Sequence, residues 1–268
     1  MITGRTGFKI FVAGVVKICL YFFSTDVIAE VRQALVVTAH LVGPLYVVED
    51  NYLFRENSVF YVGPSVVTLI GTGWTPQIAA LISAEIKKVT SKPIREVVDT
   101  DYNCERAGGN AYWKTAGAEV ISTTLTAKLL RTDWTKVGDF TRAAFPDYPH
   151  VALSMPTKTY AGDFALQAGH LRAFYLGPSH TPDDIFVYFP VERVLYAGNI
   201  LKENVGNLAF ANIPEYQMTL EKLKHQRLTI DYIIAGHWSP VHGPELIDRY
   251  LGFLREAEKA QHAGKTSP

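Results

Sequence analysis

The chain has 268 residues, with 26 basic and 26 acidic side chains in balance, 48% hydrophobic residues and 19% charged ones. That length suits one large domain or two closely fused halves, and the composition is that of an ordinary globular protein. A neutral balance without a basic stripe speaks against a nucleic-acid partner.

Arg5 and Lys9 precede an apolar run from Ile10 to Phe23, and Val27-Ile28-Ala29 places compact residues where a signal peptidase reads. Residues 1–29 therefore read as an export signal, with an uncleaved anchor or an N-terminal core helix as the alternatives. The run is short for a membrane span. Cleavage after Ala29 would leave a domain of residues 30–268 in the periplasm or secreted, without stable membrane contact and with Cys104 as its one thiol.

Ala34 to Thr38, Leu45 to Val48, Val59 to Val62 and Val66 to Ile70 read as strands of an antiparallel meander, being short, β-branched and punctuated by Gly and Pro. Thr75-Pro76 then opens a helix, with Thr as N-cap and Pro at the first helical position. Its apolar face is Ile78, Leu81, Ile82 and Ile86. Trp74, just before it, is a packing residue or flanks a pocket. Ile94 to Val98 is the next strand. It feeds a loop, Asp99 to Asn110, in which carboxylates, amides and a thiol crowd together before Gly108-Gly109. Loops at strand ends are where mixed α and β folds build their sites.

A short strand follows at Ala118 to Ser122, and then a long helix at Thr123 to Ala144, stopped by Pro146 and Pro149. Strands resume at Leu171 to Tyr175, Ile185 to Phe189 and Val194 to Tyr196. A helix at Pro214 to Gln226, a strand at Tyr232 to Ile234 and a helix at Pro244 to Lys259 close the chain, and His262 to Pro268 reads as a disordered tail. Strands then a helix, twice over, predict an α+β fold: two sheets packed face to face with helices outside, an αββα sandwich with its site at the rim.

Asp101, Asn103, Glu105, His180, Asn199 and His237 all fall at strand ends. Each alone is weak, since a lone loop His or a strand-end Asp has ordinary structural uses. As a set, two His and two carboxylates converging on a rim suit a divalent metal.

The segments around that set resemble the metallo-β-lactamase superfamily, and within it the mono-zinc, carbapenem-selective subclass of class B β-lactamases. The resemblance runs from about Leu45 to the last helix. Its most specific parts are Arg106 to Lys114, His180 to Pro190, Ile200 to Glu203 with Gly206-Asn207, and Gly236-His237 with His242-Gly243-Pro244. It implies the αββα fold, one zinc ion, a small-molecule β-lactam as partner, and a monomer. The metal positions depart from the subclass pattern. Where Asn-x-His-x-Asp is expected stand Asp101, Asn103 and Glu105, and Asn199 stands in the place of a ligand Cys. The metal set carried over is Glu105, His237, His180, Asp101 and Asn199. It is oxygen-rich, which leaves open a harder divalent ion or no metal.

The resemblance further assigns Glu105 or His180 to activate water, because Asn103 cannot. It assigns Asn207 to polarise the lactam carbonyl, Lys202 to hold the substrate carboxylate, and Trp74 to the pocket wall. The long helix would roof a narrow apolar pocket. Cys104 reads as a buried small residue that points away from the metal side, if strand alternation persists into the loop. The function implied is an exported metal-dependent hydrolase opening a β-lactam, by subclass a carbapenem. The alternative is an inactive homologue that keeps the fold and pocket as a binding protein.

Overall fold

The computed structural model of the chain describes residues 36–265. The signal pattern at 1–29 lies outside them. Seven strands form the first sheet in sequential order: β1 (Val36–Val42), β2 (Leu45–Asp50), β3 (Glu56–Val62), β4 (Val67–Ile70), β5 (Ile94–Val98), β6 (Glu119–Thr123) and β7 (Lys158–Tyr160). The first four form the predicted antiparallel meander, and β4 to β7 run parallel. The second sheet has six strands: β8 (Phe164–Leu166), β9 (Leu171–Phe174), β10 (Phe186–Phe189), β11 (Val194–Gly198), β12 (Tyr232–Ala235) and β13 (Val241–His242). They run in reverse order across it, with only β11 and β12 parallel.

Period-two alternation decides which face each side chain covers. Val47, Val59, Val98 and Ile121 of the first sheet meet Leu171, Val187, Phe189, Tyr196 and Ile234 of the second in a core between the sheets. Their neighbours Val48, Phe60, Val97 and Val120 turn outward onto helices α1 (Pro76–Val89), α3 (Asn110–Thr115) and α4 (Thr124–Ala144). On the other side Leu195, Ala197, Ile233 and Ala235 pack under α5 (Ile213–His225) and α6 (Leu246–Lys265). Each fully buried side chain of this size contributes about 1.5–3 kcal/mol of transfer free energy. The result is the expected αββα sandwich.

Helix starts follow local chemistry. Thr75 Oγ1 accepts from Ile78 N at 3.2 Å, and Thr123 Oγ1 accepts from Thr126 N at 3.0 Å. Two expectations shift. The last helix continues to Lys265, so residues 262–265 are helical rather than a loose tail. The loop after β5 does not stay extended: Cys104–Ala107 forms a helical turn, α2. Cys104 is buried as expected, but the helical turn and not strand alternation aims it. Its thiol accepts from Thr141 Oγ1 of α4 at 3.5 Å, and burial pushes it up to about 11. Among the described residues no helix is long and apolar enough to cross a membrane.

Candidate active site

Strands β4, β5, β11 and β12 end at one rim of the sandwich, and the loop before β10 returns there. Thr72 and Trp74 follow β4, Asp101 to Glu105 follow β5, Asn199 and Lys202 follow β11, and His237 follows β12. Backbone bonds tie these loops together. Gly236 N donates to Gly198 O at 2.8 Å, Ile185 N to Thr100 O at 3.0 Å, and Asn57 N to Gly236 O at 2.8 Å. The Gly108-Gly109 pair is needed for close approach. A Cβ on either would stand 2.0 Å from the carbonyl oxygen of Trp74 or of Thr72.

The centre of the rim is Arg106, which is wholly buried. Its Nη1 donates to Glu56, to Asn57 O at 3.1 Å and to Tyr196 Oη at 2.7 Å. Its Nη2 donates to Gly236 O and to Asn199 Oδ1, each at 3.1 Å. One guanidinium thereby joins β3, β11 and the loop after β12. A buried cation is tolerable only with such partners.

The Arg106 bond dictates how Asn199 is turned. Arginine only donates, so the Asn199 carbonyl oxygen faces it. The amide nitrogen therefore faces the carboxylates, 2.8 Å from Glu105 Oε1 and 3.3 Å from Asp101 Oδ2. Asp101 Oδ1 also accepts from Asn103 N at 2.9 Å. Burial, with Asp184 and Glu105 nearby, raises the Asp101 carboxyl well above its usual range. Burial would raise Glu105 too. The facing His237 ring, 3.7 Å away, and the Arg106 charge outweigh burial and bring Glu105 down to about 2. His237 turns Nδ1 to Arg55 O at 3.0 Å and Nε2 toward Glu105 Oε1 at 3.7 Å. Burial lowers its pKa below the ordinary histidine value.

On the other side of Asn199, Lys202 is 2% exposed. Its Nζ contacts His180 Nδ1 at 3.3 Å and donates to Asn199 O at 3.0 Å. That uses two of its three N–H groups. Burial brings the ammonium down to about 8, against the pull of Asp184 and Glu105. Burial first and Lys202 second lower His180 well below its ordinary value, which keeps the imidazole neutral.

These groups form the floor of a cavity of about 400 Å³. Asn103, Glu105, His180, Lys202, Asn207 and His237 present polar atoms to it. Val137, Phe140, Thr141 and Ala144 of α4 roof it, as the resemblance implied, and Phe54, Trp74, Phe210 and Trp238 wall it. The Trp74 indole N–H is buried without a partner. Asn207 spends Oδ1 on Ala209 N at 2.8 Å. The sequence reading of the site missed Phe54, Phe210 and Trp238, which sit on aperiodic loops. It quoted Arg106 without giving it a role, although an Arg two residues before Gly-Gly in an acidic loop is a signal for one.

A family model, that of the Metallo-beta-lactamase superfamily, matches residues 51–237. The chain belongs to the metallo-β-lactamase superfamily. It is 25% identical over 220 residues to the metallo-beta-lactamase type 2 of Elizabethkingia meningoseptica, covering 78% of this chain and 79% of that one. Among solved structures it superposes on VMB-1 with a TM-score of 0.72 at 19% identity, covering 83% of this chain and 98% of that one. It superposes on the metallo-beta-lactamase from Pontibacter korlensis with a TM-score of 0.68 at 19% identity, covering 82% and 99%. These structures share the fold.

The superfamily is metal-dependent, typically on zinc, so the donors of this metallo-β-lactamase-like chain bear testing. Glu105 Oε1 and His237 Nε2, 3.7 Å apart, are near the separation that two ligands of one ion at about 2.1 Å would show. A third donor does not join them. Asn199 presents N–H there, and Asp101 is turned to that amide and to the Asn103 N–H. His180 is engaged by the Lys202 ammonium. Among the described residues no three His, Cys, Asp or Glu side chains are arranged to hold a metal ion. As arranged, these residues do not fit a zinc site.

Proposed function

We propose that the chain is an exported hydrolase of the class B metallo-β-lactamase type, acting on carboxylate-bearing β-lactams, with the carbapenem-selective subclass as its nearest pattern. The observation that carries this reading is the buried Lys202 ammonium beside Glu105 and His237, at the floor of an aromatic-roofed cavity. A small cyclic amide with one carboxylate meets that pattern: an apolar body against Phe54, Phe140 and Phe210, and an anion on Lys202.

The steps assigned here use this chain's own groups. Lys202, with a pKa of about 8, is mostly ammonium at neutral pH and holds the carboxylate through its remaining N–H. The Asn207 side chain, with its oxygen tied to Ala209 N, has its amide N–H left for the lactam carbonyl. His237 donates Nδ1–H to Arg55 O, so its Nε2 is the free base toward the cavity. A water there would pass its proton to Nε2 as its oxygen attacks the carbonyl. Collapse of the tetrahedral adduct then breaks the lactam C–N bond, and the imidazolium returns the proton to the leaving nitrogen. Glu105, whose Oε1 lies 3.7 Å from Nε2, would stabilise the imidazolium formed. His180 orients Lys202.

A second reading is a binding protein without turnover. The Asn199 amide favours it, because hydrogen-bonding Glu105 at 2.8 Å draws on the same carboxylate that would serve the imidazolium. Loss of imipenem absorbance with the purified chain tests the first reading. Ring opening above the His237→Ala background supports it. Imipenem binding without ring opening sinks it in favour of the second.

A further inference from the structure

We propose that in this chain the Arg106–Asn199 pair takes the place of the family's zinc, and that the site stands without a metal ion. The proposal rests on the site assigned above.

The geometry is specific. Asn199 stands where the subclass pattern has a ligand Cys, and it is turned by the Arg106 Nη2 bond at 3.1 Å. Rotating the amide to offer its oxygen to an ion would set its N–H2 against a guanidinium that can only donate. The N–H2 end instead stands between Glu105 and Asp101, at 2.8 and 3.3 Å. It fills both the space and the electrostatic role of a cation there, since its hydrogens carry the partial positive charge that the two acids face. The full positive charge sits one bond further back, on a guanidinium spread over Glu56, Asn57, Tyr196 and Gly236.

His180 makes the same point from the far side. With Lys202 donating to Nδ1, the neutral ring carries its proton on Nε2, so neither nitrogen has a free lone pair for a metal. Two ligands, Glu105 and His237, then remain. Zinc sites in proteins use three protein ligands or more.

The full chain, purified from zinc-supplemented culture, decides the matter by elemental analysis and by melting with Zn²⁺ alone and with a chelator. The expected result is zinc well below one per chain and a melting temperature that neither addition moves. One tightly held zinc, lost with a fall in melting temperature, overturns the proposal. Asn199→Asp isolates the residue. It trades the N–H2 for an anion beside Glu105 and Asp101, so its melting temperature should rise with added zinc as mass action requires. A folded Asn199→Asp chain indifferent to zinc overturns the role given to Asn199. If the variant does not fold, the measurements on the natural chain still decide. Zinc-free protein that neither binds nor opens imipenem would sink the functional reading and leave this inference standing. Zinc-bound protein that opens it would do the reverse.

Discussion

The two sides of the site differ in how their polar groups are engaged. On one side Arg106, Asn199, Glu105 and Asp101 close on one another, and nearly every bond runs inward. On the other side Lys202 and Asn207 line the cavity with donors still to give. A donor left free beside a cavity can take its partner from a ligand. The closed half therefore reads as structure and the open half as recognition. On the reading proposed above, the superfamily site is divided unevenly here, with the metal side as scaffold and the substrate side as binding surface.

The largest expected effect breaks the closed half. Arg106→Met removes the guanidinium that faces Glu56 and Asn199 and strands acceptors on β3, β11 and the loop after β12. Removing one partner of a buried pair costs about 3–5 kcal/mol. Chemical denaturation should show a loss of that size, with most of it recovered in the Arg106→Met, Glu56→Gln double variant. A loss under about 1 kcal/mol would show that the network is ornament and that the two halves are not different in kind.

The open half should answer differently. Lys202→Met keeps the volume and removes a buried charge, so stability should hold or rise. Affinity for a carboxylate-bearing β-lactam should fall by about 10- to 100-fold, the worth of one charge-assisted hydrogen bond. The methyl ester of the same compound should bind both proteins alike. Equal losses for acid and ester would mean that Lys202 shapes the cavity without reading the anion.

Much of this division was legible in the sequence, though unevenly. The runs Leu45 to Val48, Ile94 to Val98 and Tyr232 to Ile234 read as strands and are strands, and Thr75-Pro76 marked a helix start that the structure keeps. The strands Lys158–Tyr160, Phe164–Leu166 and Val241–His242 left no periodic trace, because two or three residues are too few to show a period. Spacing and resemblance brought Glu105, Asn199, His180 and His237 to one rim. What they do there depends on Arg106, whose partners lie 50, 93 and 130 residues away in the chain. Which end of the Asn199 amide faces Glu105 is a consequence of that long-range bond, and no local pattern carries it. Cys104 shows the converse: its burial was readable, but its direction came from a helical turn that the acidic loop did not announce.

The smallest effect tests whether the acids behind the floor also belong to the scaffold. Asp183 is buried, accepts from Thr181 Oγ1 at 2.7 Å, and is raised from the usual 3.8 to about 8 by burial first and by Asp101 second. In the folded chain it therefore keeps its proton where the unfolded chain has lost it. Its stabilising contribution is complete below the unfolded value and drains away as pH rises toward 8. Across pH 5 to 7 the natural chain should lose stability relative to Asp183→Asn by up to about 1.4 kcal/mol per pH unit, the slope of one linked proton. The amide keeps an acceptor for Thr181 and has no proton to lose, so the variant's curve should be flatter by that amount. Unfolding free energies measured for both proteins across this range give the difference directly. Parallel curves would mean that Asp183 is ionised in the fold, which would require a cation near it and would place a charge-bearing partner on the side of the site now read as closed.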